Sequence, residues 1–202
     1  MKLYVIRHGE TDWNKEKRLQ GKADISLNEN GRELARLTGE KLMDIPFYIA
    51  IFSPLVRSME TARLALGGRD IPVIPDERIA EMSFGDWEGR HYYPGSTEIP
   101  DHMMDNFFYH TEKYEVPPNG ESFQDVINRT HSLYEELISN PDYEDKNILI
   151  SSHGAASRAF LQSVFQDGNF WHTGVPKNCA VTIVEIDRGT VVQVELDRIF
   201  YE

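Results

Sequence analysis

The first residues whose side chains could take part in a reaction follow an apolar run at the start of the chain. Residues 2–6 are Lys-Leu-Tyr-Val-Ile, and Arg7, His8 and Gly9 come directly after them. In an open α/β sheet, ligands bind beyond the carboxyl ends of the strands. An arginine offers a planar, permanently charged fork that suits phosphate oxygens, and a histidine can be neutral and nucleophilic near pH 7. Because a glycine lets the backbone pass close to a bound group, the tripeptide predicts an anion site at a strand end.

A second apolar run ends in a similar way. Residues 147–151 have the pattern of a buried strand, and His153 and Gly154 follow shortly after. If the two runs are neighbouring parallel strands, both histidines emerge at the same edge of the sheet. Arg57 falls in the first turn of a helix after another predicted strand, and Glu81 lies near a turn. We therefore expect one pocket to contain Arg7, His8, Arg57, Glu81 and His153.

This set of side chains suits the transfer of a phosphoryl group through a covalent phosphohistidine. A nucleophile divides the very slow hydrolysis of a phosphate monoester into two easier steps. Arg7 and Arg57 would lower the pKa of His8 and leave a ring nitrogen free, and their guanidinium groups would bind phosphoryl oxygens. His153 would stabilise charge on the transferring group, beside the amides of the helix that follows it. Glu81 would give a proton to the leaving group and later accept one from water.

The hydrophobic pattern predicts the elements that would position these residues. Strands are expected at 2–6, 48–52, 71–74, 147–151, 180–186 and 191–196. Helices are expected from the N-cap Asn28 to a stop at Pro46, from Pro54 in a first turn to about Leu66, near 101–112, over 121–139 and from about 154 to 165, with a loop or short helix over 12–20. Alternating strands and helices predict an α/β fold with three layers, α/β/α, around a mainly parallel sheet. The last two strands predict a hairpin, which gives the sheet an antiparallel edge.

Residues 84–120 differ in composition from the rest of the chain. They contain four glycines and four prolines among many aromatic side chains. Glycines and prolines at this density interrupt helices and strands, so we expect the segment to leave the core. We interpret it as a lid or insertion, here called the lid segment, within a single domain of residues 1–202 that no linker or repeat divides.

Composition and charge argue against several classes of function. The formal net charge is −12 at pH 7, which disfavours nucleic-acid binding because that needs a basic face; it would also repel anionic substrates at a distance. No apolar run approaches the ~20 residues of a membrane span, and the first run is too short for a signal peptide. The only cysteine is Cys179, so no internal disulfide is expected. We predict a cytoplasmic protein whose partners include no nucleic acid and no membrane.

Taken together, the motifs resemble the histidine phosphatase superfamily, also called the phosphoglycerate mutase-like family. The resembling segments run in the family's order from the first strand to past residue 154. They are Arg7 to Thr11 with Trp13-Asn14, Leu19-Gln20-Gly21, Leu27 to Gly31, Ser53-Pro54-Leu55 with Arg57 and Thr61-Ala62, Glu81 with Phe84-Gly85 and Trp87-Glu88-Gly89, Gly120-Glu121-Ser122, and Ser152-His153-Gly154.

The resemblance implies a phosphoglycerate mutase-like fold and assigns roles to the site residues. His8 would be the nucleophile and Glu81 the proton donor, while the phosphate pocket would consist of Arg7, Arg57 and His153. Asn14 and the loop at Gln20 and Gly21 would line its rim, with Gly154 also in contact with substrate. The family needs no metal and no cofactor. The expected partner is a small phosphorylated substrate, and a homodimer is possible.

The family contains both phosphatases and mutases, and the lid segment favours the phosphatase branch. A mutase needs further cations for a second anionic group, yet residues 91–120 contain only Lys113 as a fixed cation beside five acidic residues. We therefore predict a phosphomonoesterase of the histidine acid phosphatase type. The mutase alternative stays open because Arg90 could reach inward. A third alternative, an inactive module that binds phosphorylated ligands, is disfavoured because both His8 and Glu81 are present.

Overall fold

Six strands and six helices make up the regular structure of residues 1–201, which the computed structural model describes. The strands are β1 (Lys2–Arg7), β2 (Phe47–Phe52), β3 (Val73–Pro75), β4 (Asn147–Ser152), β5 (Val181–Asp187) and β6 (Thr190–Arg198). The helices are α1 (Asp12–Glu16), α2 (Glu29–Lys41), α3 (Val56–Leu66), α4 (Asp101–Tyr109), α5 (Phe123–Ser139) and α6 (Gly154–Phe165). None of these helices is long and apolar enough to cross a membrane.

The strands form one sheet in the order β3-β2-β4-β1-β5-β6. The first four are parallel, whereas β5 runs antiparallel to β1 and β6 antiparallel to β5. Alternate residues of β1 enter two different cores: Leu3 and Val5 pack with residues of α5 and α6, and Tyr4 and Ile6 with residues of α2 and α3. The sheet is therefore covered on both faces, which confirms the predicted three-layer α/β/α fold with an antiparallel edge.

The register of the central strands aligns their carboxyl ends. Arg7 of β1 lies opposite Ser152 of β4, and the His8 N–H donates to the Ser152 carbonyl over 2.9 Å. On the other side of β4, the Ser53 N–H donates to the Ser151 carbonyl over 3.1 Å. The residues that follow β1, β2 and β4 consequently emerge together at one edge of the sheet, as the strand-end argument predicts.

Helices α2 and α3 have boundaries that differ from the prediction. Helix α2 ends at Lys41 rather than continuing to Pro46, because Arg69 donates to the Leu42 and Ile45 carbonyls and so stabilises a turn there. Helix α3 begins at Val56, so Pro54 lies before it rather than in its first turn. The Val56 N–H donates to the Asp24 carboxylate over 2.7 Å, a contact between distant segments that sets the start of the helix.

A third hydrophobic core joins the lid segment to the rest of the fold. Its helix α4 spans nine residues, shorter than the predicted 101–112, and a 3₁₀ turn follows at Thr111–Lys113. Met103, Met104 and Phe107 of α4 pack with alanines in the first turns of α6 and with Trp171. This packing places aromatic side chains of the lid segment beside the edge where β1 and β4 end.

Candidate active site

The ring of His8 is buried and held in one orientation by the main chain. Its Nδ1 lies 2.7 Å from the Gly9 carbonyl oxygen, so Nδ1 carries a proton and Nε2 is left free. Burial lowers the pKa of His8 well below its ordinary value, and the charges of Arg57 and Arg7 lower it further. A neutral imidazole with a free nitrogen is the form that can act as a nucleophile.

His153 is fully buried beside His8. The centroids of the two rings are 5.1 Å apart, and His153 Nε2 lies 2.7 Å from Ser53 Oγ. Its Nδ1 has no hydrogen-bond partner in the structure. Burial lowers the pKa of His153 well below its ordinary value, and the nearby charges of Arg57, Arg7 and Arg129 lower it further.

Two arginines stand beside the histidines, each tied to loop carbonyls. Arg57 is fully buried in α3 and donates to the Gly21 and Ala23 carbonyls over 2.7 Å each. Arg7 donates through Nη1 to the Pro176 carbonyl. The Nε atoms of both arginines are buried without a partner. Burial lowers the pKa of Arg57 to about 10, so its guanidinium stays charged at neutral pH.

The carboxylate of Glu81 lies against the N-terminus of α6. Its Oε1 accepts from the Met82 N–H over 2.9 Å and the Ala156 N–H over 3.0 Å, whereas Oε2 accepts only a longer bond of 3.3 Å from the Ala155 N–H. A Cβ placed on Gly154 would come within 3.6 Å of Oε2 and 4.0 Å of Arg7 Nε. Glu81 Oε2 therefore has spare hydrogen-bonding capacity on the side of Gly154 that also faces Arg7 Nε.

The three rim residues predicted from the resemblance also lie at the pocket. Thr11 is the N-cap of α1, and Asn14 completes the capping box: its Oδ1 accepts from the Thr11 N–H over 3.1 Å. Gln20 is buried, and its Oε1 has no partner. Gly21 has a φ of +54°, and a Cβ there would lie 2.0 Å from the Glu88 carboxylate. The Gly21 position thus requires glycine, and its carbonyl orients Arg57.

All of the predicted site residues except His153 line one open pocket. His153 is fully buried and lies next to His8, which lines the pocket. The opposite wall is aromatic and apolar, formed by Leu19, Phe84, Tyr92, Phe107, Phe108, Trp171 and Val175. Neither Arg90 nor His91 lines the pocket: Arg90 donates to the Glu98 carbonyl, and His91 contacts the Glu98 carboxylate. Arg18, which the sequence argument did not consider, does line it.

Several positioning residues were missed because they act through the backbone of distant segments. Asn178 donates to the His8 carbonyl over 3.0 Å, and Thr61 Oγ1 accepts from the Gly9 N–H over 2.9 Å. Cys179 is fully buried, and its N–H donates to the Arg7 carbonyl over 3.0 Å. Of these positioning residues, only Thr61 belongs to a segment that resembles the family. No local sequence pattern indicates the role of Asn178.

Comparison with known proteins identifies the family. The profile of the histidine phosphatase superfamily (branch 1) matches residues 3–198. The chain belongs to the histidine phosphatase superfamily. Within it, the chain is 34% identical over 167 residues to 2,3-bisphosphoglycerate-dependent phosphoglycerate mutase 2 of Gloeobacter violaceus, covering 80% of this chain and 74% of the mutase.

Other relatives match over a larger part of the chain. Identity to the adenosylcobalamin/alpha-ribazole phosphatase of Salmonella typhimurium is 32% over 193 residues, which are 92% of each chain. Among solved structures, Bacillus stearothermophilus YhfR superposes with a TM-score of 0.88 at 34% identity, over 100% of this chain and 99% of that one. These relatives confirm the phosphoglycerate mutase-like fold and a histidine phosphatase superfamily enzyme.

Proposed function

We propose that this enzyme hydrolyses phosphate monoesters of small metabolites through a phosphohistidine at His8. The observation that carries the proposal is a group of buried polar atoms without partners: Arg7 Nε, Arg57 Nε and His153 Nδ1. Buried polar atoms in proteins are nearly always hydrogen-bonded, so such a group points to an anion that completes it. The two guanidinium groups supply the positive charge that a metal ion supplies in other phosphatases.

In the first step, the free Nε2 of His8 attacks phosphorus and the bond to the ester oxygen breaks. The electron pair of that bond stays on the leaving oxygen, which takes a proton from Glu81 Oε2. With Ser53 donating to His153 Nε2, the His153 ring carries its proton on Nδ1, and this N–H donates a hydrogen bond to a phosphoryl oxygen. Arg7 and Arg57 stabilise the charge of the transferring group.

In the second step, water attacks the phosphorus of phosphohistidine. Glu81, now a carboxylate, accepts a proton from the water, and the phosphorus–nitrogen bond breaks with its electron pair returning to His8 Nε2. Inorganic phosphate leaves, and both His8 and protonated Glu81 are regenerated. The same carboxyl group thus acts first as acid and then as base.

The walls of the pocket favour a phosphatase over a mutase. A mutase must hold a second anionic group, but Arg18 is the one further cation among the residues that line the described pocket, and it pairs with Glu16 over 2.6 Å. The aromatic wall suits a leaving group with apolar or planar surface. The proposed enzyme is of the histidine acid phosphatase type. Its cytoplasmic location and its assembly as a homodimer stay predictions.

Comparing two activities tests the proposal. We expect release of phosphate from an aryl phosphate and from some members of a panel of phosphorylated metabolites, with little isomerisation of phosphoglycerate. His8→Ala should abolish hydrolysis, whereas His131→Ala, which removes an exposed histidine of α5, should leave it unchanged. Efficient isomerisation with negligible hydrolysis would contradict the phosphatase assignment. Hydrolysis that survives His8→Ala would remove His8 from its role.

A further inference from the structure

Glu121 and Arg129 form an ion pair outside the catalytic pocket. Glu121 belongs to the Gly120-Glu121-Ser122 motif, and Arg129 lies two turns into α5. Two bonds join them: Arg129 Nε to Glu121 Oε1 over 3.1 Å and Nη2 to Oε2 over 3.2 Å. Both side chains are less than one-fifth exposed. Neither residue lines the pocket, so the mechanism described above leaves the pair without a role.

The Arg129 guanidinium binds the backbone around Glu81. Its Nη1 donates to the Arg78 carbonyl over 2.8 Å and to the Ala80 carbonyl over 2.7 Å. Its Nη2 donates to the carbonyl of Glu81 itself over 3.1 Å. One planar, rigid fork therefore fixes the chain before Glu81 and at Glu81, which a flexible lysine could not do.

Glu121, the partner of Arg129, binds the same segment after Glu81, at Ser83. Its Oε2 accepts from the Ser83 N–H over 2.8 Å, and its own N–H donates to the Ser83 carbonyl over 2.9 Å. Burial disfavours the charge of Glu121, but hydrogen bonds from Arg129 and Ser83 outweigh it and hold its pKa below the ordinary value. The pair is thus ionised at neutral pH and bridges residues on both sides of Glu81.

We propose that the Glu121–Arg129 pair is a positioning device for the proton transfer by Glu81. The inference rests on the proposed role of Glu81. The Glu81 carboxylate reaches the amides of α6 and of Met82 only while the backbone at 80–83 keeps its place. A shift of about 1 Å in a catalytic group can cost roughly 100-fold in rate, so a small relaxation of this segment would misplace the proton donor.

The test compares two substrates that fit the same pocket and differ in their need for an acid. p-Nitrophenol leaves readily without protonation, whereas phenol requires a proton. Arg129→Lys keeps a charge opposite Glu121 but cannot span three carbonyls. We expect it to lower kcat for phenyl phosphate by about 10-fold to 100-fold and kcat for p-nitrophenyl phosphate by less than about 3-fold. Glu121→Gln should act in the same direction.

Arg69→Gln is the matched control. Arg69 also donates to several backbone carbonyls, those of Leu42, Ile45, Ala65 and Leu66, but lies outside the pocket. Its loss should affect both substrates equally. Thermal melts of every variant report whether it is folded.

Glu81→Gln separates failure of this inference from failure of the proposed function. It should slow phenyl phosphate by about 10²- to 10⁴-fold and p-nitrophenyl phosphate much less. If Glu81→Gln discriminates between the substrates but folded Arg129→Lys and Glu121→Gln do not, the pair is merely structural and the inference is overturned. If Glu81→Gln does not discriminate, the role of Glu81 falls and the inference falls with it.

Discussion

At the scale of single residues, Arg7 and Arg57 each use one part of the guanidinium for orientation and leave another part without a partner. Part of each guanidinium is fixed by loop carbonyls, those of Pro176 for Arg7 and of Gly21 and Ala23 for Arg57. Another part, the Nε of each, is buried and unpaired. The loop bonds orient the fork before an anion arrives, so little side-chain entropy is lost on binding.

Arg57→Lys tests this preorganisation. A lysine keeps the charge but cannot bind two carbonyls and a phosphate in a fixed plane. Because a hydrogen bond to a charged group contributes about 1.5–3 kcal/mol, we expect the inhibition constant for inorganic phosphate to rise by about 10-fold to 100-fold. Arg63→Lys, an exposed position on the same helix, should leave it unchanged. An unaltered inhibition constant in folded Arg57→Lys would argue that the loop bonds do not orient the group.

The residues that bring chemistry were more readily predicted than the residues that hold them. Arg7, His8 and His153 follow strand ends, where position along the chain already implies position at the sheet edge. Asn178 and Arg129 carry no such mark, because each acts on the backbone of a segment distant in sequence. Arg90 was considered as a possible inward cation, yet its guanidinium is bound to the Glu98 carbonyl outside the pocket.

At the scale of elements, periodicity predicted the sheet and its helices but not the connections that complete the site. The loop between α6 and β5, residues 166–180, supplies the Pro176 carbonyl to Arg7 and places Trp171 in the pocket wall. Arg158 of α6 fixes this loop: it donates to the Gly174 carbonyl over 2.8 Å and to Thr173 Oγ1 over 3.0 Å. Its guanidinium is fully buried and pairs with Asp197 of β6.

Replacing both members of this ion pair separates its effect on stability from its effect on activity. Asp197→Asn alone leaves the buried charge of Arg158 unpaired, which we expect to cost about 3–5 kcal/mol of unfolding free energy. Arg158→Met alone leaves the Asp197 carboxylate, which is one-fifth exposed, without its partner, so we expect a smaller cost. The double variant should regain much of that stability. Its kcat/KM should stay about 10-fold low because the loop that holds Arg7 has lost its anchor. Urea unfolding and steady-state kinetics measure the two quantities, with exposed Arg198→Met as the neighbouring control. Full recovery of activity in the double variant would show that the pair serves stability alone.

At the scale of the whole molecule, the charge of the chain and the charge of the pocket have opposite signs. The formal net charge is −12, but the residues that line the pocket include three arginines and a single carboxylate, that of Glu81. Contacts within the pocket must therefore outweigh repulsion by the molecular surface, which falls off beyond a Debye length of about 10 Å. Burial, together with the same concentration of positive charge, keeps both histidines neutral.

Those two histidines should make stability depend on pH in a defined window. Burial, then the charges of Arg57 and other neighbours, lowers the pKa of His8 and of His153 well below their ordinary value of 6.5. Above pH 6.5 neither the native nor the unfolded chain binds these protons, so the full stability is present. As the pH falls below 6.5, the unfolded chain binds up to two protons that the native state does not bind. The free energy of unfolding therefore declines by up to about 2.7 kcal/mol per pH unit.

Urea unfolding in phosphate-free buffer between pH 7 and pH 4.5 checks this prediction. Carboxyl groups with lowered pKa values, such as Glu121 and Asp76, contribute mainly below their ordinary values of 4.5 and 3.8, so the histidines dominate the window. His8→Asn removes one of the two groups and should reduce the slope by about 1.4 kcal/mol per pH unit, and the double variant with His153→Asn should nearly abolish it. His131→Asn is the exposed control. If the slope of His8→Asn equals that of the parent protein, His8 already binds a proton in the native state, and the neutral nucleophile on which the proposed chemistry depends is absent at acidic pH.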